Sequence, residues 1–305
     1  VLYIIDSIGG TPESVTEDCT DSAGGWSYDA GTATLTLDGF QGEYIEANGD
    51  INIVLKGKNK ITISAESTEG IKSTGKVTID DTISPAQDCL DIYCSDGTES
   101  VSMIYTGGFG ADYATYIVGG TVNLVEENTR RRYVTGISRW AYVENDASLN
   151  INLSADGGRN GVAALLNLNT SGDTSFRVNS LSSSSYGVYS LDKKGSGDTA
   201  LAAEGKAKNI GNKFTIGSTG NTGKITIKGY LTDFTPCRRK NRIVGVDNFL
   251  WSYFTENPQT GGLCRCVCDS LGVPIKDFVI ESVDELPLTV MDSELFDIPL
   301  SLIHI

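Results

Sequence analysis

Short segments in which apolar and polar residues alternate recur along most of this chain, and they constrain its fold more than any other feature. They are Ile51-Asn52-Ile53-Val54-Leu55, Val77-Thr78-Ile79, Val101-Ser102-Met103, Thr121-Val122-Asn123-Leu124, Leu149-Asn150-Ile151-Asn152-Leu153, Thr174-Ser175-Phe176-Arg177-Val178, Ala200-Leu201 and Lys224-Ile225-Thr226-Ile227. A period of two puts one set of side chains on each face of a strand. Successive starts lie about 25 residues apart, an interval that marks a repeat array. A second marker, Gly then Ile or Val, keeps similar time at Gly70-Ile71, Gly136-Ile137, Gly161-Val162 and Gly187-Val188.

One such unit cannot stand alone. Ordering it costs about 1–2 kcal/mol per residue in backbone entropy, while each inward Ile, Val or Leu returns only about 1.5–3 kcal/mol. Stacking lets each strand bond to its equivalents above and below and merges the inward rows into one core. The pattern therefore predicts an all-β fold, a right-handed parallel β-helix (β-solenoid) over residues 32–235. Ile53, Ile79, Met103, Leu124, Ile151 and Val178 are expected to line its shared interior. A helical repeat is excluded, because no helical apolar stripe is sustained before about residue 240.

The 35 Gly against 7 Pro in 305 residues suit short strands joined by tight corners. A net charge of −15 argues against nucleic acid or an anionic membrane as partner, and leaves calcium and neutral sugars compatible. No long apolar run is present, so no membrane span is expected. The sequence opens on Val1 without an initiator Met or a signal peptide, which reads as a processed chain or a fragment. Seven cysteines, an odd count, leave the redox compartment open.

Residues 1–31 read as an N-terminal opening strand and cap, in which Trp26 and Tyr28, with Phe40 just beyond, cover the open end of the core. Residues 236–305 read as an irregular extension. Arg238, Arg239, Lys240 and Arg242 cluster there, an apolar aromatic stretch runs to Phe254, and Leu300 to Ile305 continue no pattern. From 262 onward the composition reads as non-native, as a shifted reading frame would produce, or as disorder.

Histidine occurs once, as His304, so neither a Ser-His-Asp or Cys-His arrangement nor a His-ligated zinc site is expected. Cys264, Cys266 and Cys268 alternate, which suits disulfide pairing better than a zinc knuckle with its two intervening residues. Asp80, Asp81, Asp88, Asp91 and Asp96 bridge the end of one repeat and the start of the next. Stacked strands bring such carboxylates about 5 Å apart, and calcium takes several oxygen ligands at corners of this kind. These five are the candidate calcium site, with solvated Asp turns as the alternative.

Outward aromatic rings stack on the apolar face of a pyranose. Trp140, Tyr142, Tyr186 and Tyr189 are therefore the candidate carbohydrate-binding residues, with routine surface packing as the alternative. By alternation the residue after each apolar marker faces outward, which lines up Lys72, Asp91, Ser138, Ala163 and Tyr189 as one ladder. Arg130, Arg131, Arg132, Arg139 and Arg159 offer the cation that a lyase needs, yet no base with partner acids stands out. Arg130 to Arg132 read as a solvated loop, and no catalytic residue is assigned.

Trp26-Ser27-Tyr28-Asp29, then Thr34-Leu35-Thr36-Leu37-Asp38-Gly39, then Ile51 to Leu55 with Gly57, Asn59 and Ile61-Thr62-Ile63, followed by the Gly-Ile markers, form a specific series. It resembles the opening of large surface proteins of gut Gram-positive bacteria, most strongly over 24–80 and extending to about residue 230. Such carbohydrate-binding-domain or adhesin-like proteins are parallel β-helices, some of which hold calcium. The resemblance implies an extracellular protein, associated with the cell surface or cell wall, that binds a polysaccharide or a host or plant glycan without cleaving it. A monomer is expected. The alternatives are a stalk that spaces another module from the surface, and a polysaccharide lyase or hydrolase of β-helix type. Asn257-Pro258-Gln259-Thr260-Gly261 also resembles a cell-wall sorting motif, although the basic cluster and apolar stretch precede it rather than follow. An Asn-Pro turn is the other reading of that segment.

Overall fold

A computed structural model describes residues 1–81, 88–108, 110–126, 131, 134–138, 140–145, 147–153, 167–171, 174–180, 188–193, 198–205, 210–216, 224–230, 241–243, 250–256, 263–271 and 273–282. These residues are almost wholly strand, apart from turns and a short 3-10 segment at Ala111–Tyr113. The chain opens with β1 (Leu2–Ile5), β2 (Glu13–Val15), β3 (Cys19–Asp21), β4 (Trp26–Asp29), β5 (Thr34–Asp38), β6 (Gln41–Gly42) and β7 (Tyr44–Ala47). There follow β8 (Ile51–Lys56), β9 (Lys58–Ile63), β10 (Glu69–Ser73), β11 (Val77–Asp81), β12 (Cys89–Cys94), β13 (Val101–Thr106), β14 (Thr115–Ile117), β15 (Thr121–Glu126) and β16 (Val134–Ile137). Next come β17 (Trp140–Glu144), β18 (Ser148–Leu153), β19 (Asn167–Ser171), β20 (Thr174–Ser180), β21 (Val188–Lys193), β22 (Thr199–Gly205), β23 (Ile210–Ile216) and β24 (Lys224–Tyr230). The last are β25 (Asn241–Ile243), β26 (Leu250–Glu256), β27 (Leu263–Cys268) and β28 (Lys276–Ser282).

Three mostly parallel sheets carry nearly all of them. The first runs β16-β13-β10-β7-β1-β2, the second β23-β21-β19-β17-β14-β11-β8-β5-β4-β3, and the third β25-β28-β24-β22-β20-β18-β15-β12-β9-β6, while β26 and β27 pair separately. This corrects the expected right-handed parallel β-helix, because no sheet forms a solenoid. Antiparallel pairs join β1 to β2 and β7, and β4 to β3 and β5, at one end. Further antiparallel pairs join β28 to β24 and β25 at the other end, and β26 to β27. Among the described residues the first sheet stops at β16, after which β17 to β24 alternate between the second and third sheets. The physical reason lies in what the repeat measures. A parallel pair needs a crossover of a dozen or more residues, so an interval of about 25 residues reports how soon the chain returns to a sheet, not how many sheets it visits or which way the end strands run.

Two smaller expectations change with it. The described part of 236–305 is regular rather than irregular, since β25 to β28 fall within it. The outer ladder expected through Lys72, Asp91 and Ser138 loses Asp91, although Lys72 and Ser138 both fall in register with Tyr105. Lys72 lies on β10 of the first sheet and Ser138 just beyond β16 of the same sheet, whereas Asp91 lies on β12 of the third. Ala163 and the side chain of Tyr189 lie outside the described residues.

The core is nonetheless continuous. Ile53, Ile79, Met103, Leu124 and Ile151 belong to one buried cluster although they come from all three sheets, and the Val178 side chain lies outside the described residues. Trp26 and Phe40 are also buried in that cluster, and Trp26 Nε1 donates to Asp6 Oδ2 at 3.2 Å. The corner between β8 and β9 is fastened by Asn59. Its Oδ1 accepts from Phe40 N at 2.9 Å and its Nδ2 donates to Lys56 O at 3.2 Å and Cys89 O at 3.3 Å, while Gly57 supplies the left-handed φ of 64°. The solvated loop expected at Arg130 to Arg132 is corrected at its middle residue. Arg131 is fully buried and donates from Nε to Ser95 O and from Nη1 to Ser67 O, each at 3.0 Å, and from Nη2 to Ser64 O. Arg130, Arg132, Arg139 and Arg159 lie outside the described residues.

Candidate functional site

The third sheet builds a polar groove on its outer face from three consecutive strands. On β12, β15 and β18 the inward residues are Leu90 and Ile92, Val122 and Leu124, and Leu149 and Ile151, all buried. Alternation turns Asp91 and Tyr93, Asn123 and Val125, and Asn150 and Asn152 to the other face. Register then aligns them. Asp91 sits beside Asn123 and Asn123 beside Asn150, and two residues further along Tyr93 sits beside Val125 and Val125 beside Asn152. These side chains, with Ile151, line a groove of about 400 Å³.

Hydrogen bonds run along the first row in one sense. Asn150 Nδ2 donates to Asn123 Oδ1 at 2.9 Å, and Asn123 Nδ2 donates to Asp91 Oδ1 at 2.6 Å. Each amide therefore has a fixed orientation while keeping a second N–H and an acceptor lone pair in reserve. In the second row Asn152 Oδ1 is buried and has no partner, and an unpaired buried acceptor costs about 1–3 kcal/mol. Tyr93 is 37 % exposed, but the Lys60 ammonium sits 4.6 Å from its ring centroid and covers one face.

Of the residues expected to form a sugar platform, Trp140, Tyr142 and Tyr189 fall on strands of one sheet, the second. Trp140 and Tyr142 lie on β17 of the second sheet, Tyr186 is outside the described residues, and Tyr189 is on β21 with its side chain outside them. Tyr142 stacks on Tyr116, with centroids 4.3 Å apart and planes 7° from parallel, so one face of each ring is already occupied. Lys76 lies 5.6 Å from the Tyr116 centroid, and the Tyr116 hydroxyl donates to Ala111 O at 3.3 Å. Burial, with the adjacent Tyr142, pushes the Tyr116 phenol up to about 12.

Of the five aspartates, Asp80, Asp81 and Asp88 gather around Gly119 and Gly120, while Asp91 and Asp96 lie apart from them. Asp80 Oδ1 accepts from Asp81 N at 2.9 Å, Asp88 Oδ1 from Gly57 N at 2.7 Å, and Asp96 Oδ1 from Gly97 N at 3.0 Å. Those are turn-fastening bonds. Asp91 faces the groove instead. Among the described residues no three His, Cys, Asp or Glu side chains are grouped to hold a metal ion. Cys19, Cys89 and Cys94 form no disulfide, and the side chains of Cys264 and Cys266 lie outside the described residues. The sorting-like segment 257–261 and His304 lie outside the described residues.

Sequence reasoning missed Tyr93, Asn123, Asn150 and Asn152. Their signal is visible once strands are aligned: Leu90-Asp91-Ile92-Tyr93, Val122-Asn123-Leu124-Val125 and Leu149-Asn150-Ile151-Asn152 carry polar side chains at the same place. The chain matches no protein-family model, no curated protein and no solved structure. Among the described residues no helix is long and apolar enough to cross a membrane.

Proposed function

We propose that this protein binds carbohydrate without cleaving it, as an extracellular module of a bacterial surface. The observation that carries the reading is the hydrogen-bonded row Asp91, Asn123 and Asn150 flanking a groove of about 400 Å³. Sugar hydroxyls both donate and accept, and amide side chains whose orientation is already set lose little freedom on meeting them. The N-terminal motif series supports the same reading through its resemblance to carbohydrate-binding surface proteins. The groove pairs one carboxylate with amides, whereas glycoside hydrolysis takes two carboxyl groups flanking the bond. Sedimentation with insoluble pectin, xylan and β-glucan, together with measurement of new reducing or unsaturated ends, tests the proposal. The protein is expected in the pellet with at least one polymer and no new ends. Reproducible turnover would assign an enzyme, and failure to sediment with any polymer would leave the stalk reading in its place.

A further inference from the structure

We infer that the groove on β12, β15 and β18 takes a linear, uncharged sugar chain laid along the direction in which the strands stack, one sugar unit to each strand. This rests on the glycan-binding reading and adds to it the direction and charge of the ligand.

Direction follows from the register. Asp91, Asn123 and Asn150 occupy the same place on three neighbouring parallel strands, and Tyr93, Val125 and Asn152 form a second row beside them. Along the rows, equivalent positions recur at the strand spacing of about 4.8 Å, comparable with one unit of an extended sugar chain. Across them, each strand offers only two outward positions to the groove. A polymer running along the rows therefore repeats its contacts, whereas one running across them cannot. The bonds from Asn150 to Asn123 and from Asn123 to Asp91 hold the side chains in that repeat before any ligand arrives. Asn152 Oδ1, an acceptor without a donor, stands at the β18 end of the second row.

Charge follows from the Asp91 carboxylate on the groove wall, in a chain whose net charge is −15. A carboxylated or sulfated sugar would meet like charge there. Register places Lys60 beside Asp91 at one end of the row and Arg177 beside Asn150 at the other, but among the described residues the groove's one charged lining residue is Asp91.

Titration calorimetry of the full chain tests this with neutral glucose, xylose and mannose series, each from the single sugar to the hexamer, and with galacturonate oligomers of equal lengths. In the neutral series that binds, affinity is expected to rise roughly fivefold to tenfold per unit up to the third and then level off. Galacturonates should bind at least about tenfold more weakly. Asn123→Ala, in the middle of the row, should flatten the rise with only a small fall in thermal stability, and Asn123→Ser, whose hydroxyl can still donate toward Asp91, serves as a second variant should Ala disturb the fold. A single sugar binding as tightly as its trimer, or galacturonates binding best, overturns the inference and leaves glycan binding standing. Absence of binding to every polymer and oligomer overturns both.

Discussion

The Arg131 guanidinium donates to the Ser67 carbonyl at 3.0 Å across 64 residues of sequence. With its bonds to Ser64 O and Ser95 O, one buried cation fastens the turn after β9 to the turn after β12. Removing it takes a donor from three carbonyls and leaves a void, although Ser64 O keeps Ser67 N and Ser95 O keeps the Cys94 thiol. Arg131→Ala is expected to destabilise the protein by about 1–3 kcal/mol, the cost of leaving a buried polar group unsatisfied. Urea unfolding followed by circular dichroism measures this, and a loss below about 1 kcal/mol would mean that the contacts contribute little.

Gly70 and Gly136 face the same neighbour. Glu69 pairs with Ser102 and Ile71 with Ile104, while Ser102 pairs with Thr135 and Ile104 with Ile137, so Met103 lies between the two glycines on adjacent strands. A Cβ on Gly70 would stand 3.1 Å from Ile92 Cγ2 and Met103 O, and one on Gly136 would stand 3.1 Å from Ile151 Cγ2. Gly70→Val should therefore cost about 1–3 kcal/mol by overpacking. Melting curves of Gly70→Ala and Gly70→Val decide the point, and a Val variant as stable as the parent would show that the site has spare room.

Burial pushes the Cys94 thiol from 9.0 up to about 11, with Arg131 opposing the rise. Below the unfolded value the thiol is neutral in both states and its contribution is intact. Between pH 9 and 11 the unfolded chain ionises while the folded one resists, so the unfolded state binds fewer protons and stability falls, by about 2–3 kcal/mol in all. Cys94→Ala should flatten that part of the pH profile. An unaltered slope would assign the alkaline loss to other groups.

Tyr142 and Asn123 separate ring stacking from hydrogen-bonded recognition. Tyr142→Ala removes a ring stacked at 4.3 Å on Tyr116 and should lower stability by about 0.5–1.5 kcal/mol beyond the area lost, with glycan affinity unchanged. Asn123→Ala should instead weaken binding by roughly tenfold, with only a small fall in stability. Paired binding and melting measurements on both variants read this out, and the opposite assignment would return the sugar site to the second sheet.

Much of the local structure is legible before any coordinates. Leu90 to Tyr93, Val122 to Val125 and Leu149 to Asn152 alternate as strands must, and their inward members are buried. What alternation leaves open is the partner of each strand. Asp91 groups with Asp88 and Asp96 by proximity in sequence, yet register places it beside Asn123, 32 residues away, and so moves it from a metal hypothesis to a polar row. Tyr142 reads as an outward ring because its neighbours are apolar, but the stacking on Tyr116 that occupies its face depends on pairing between β14 and β17. Arg131 reads as loop because no local pattern marks a side chain that serves carbonyls from two earlier turns.

At the N-terminal side the three sheets finish in β2, β3 and β6, which are three, three and two residues long. An incoming strand would find only a few unpaired backbone groups there, too few to template the growth of a fibre. Those shortest strands act as end stops, which shield long parallel ladders rich in Ile, Leu and Val from aggregation at that end.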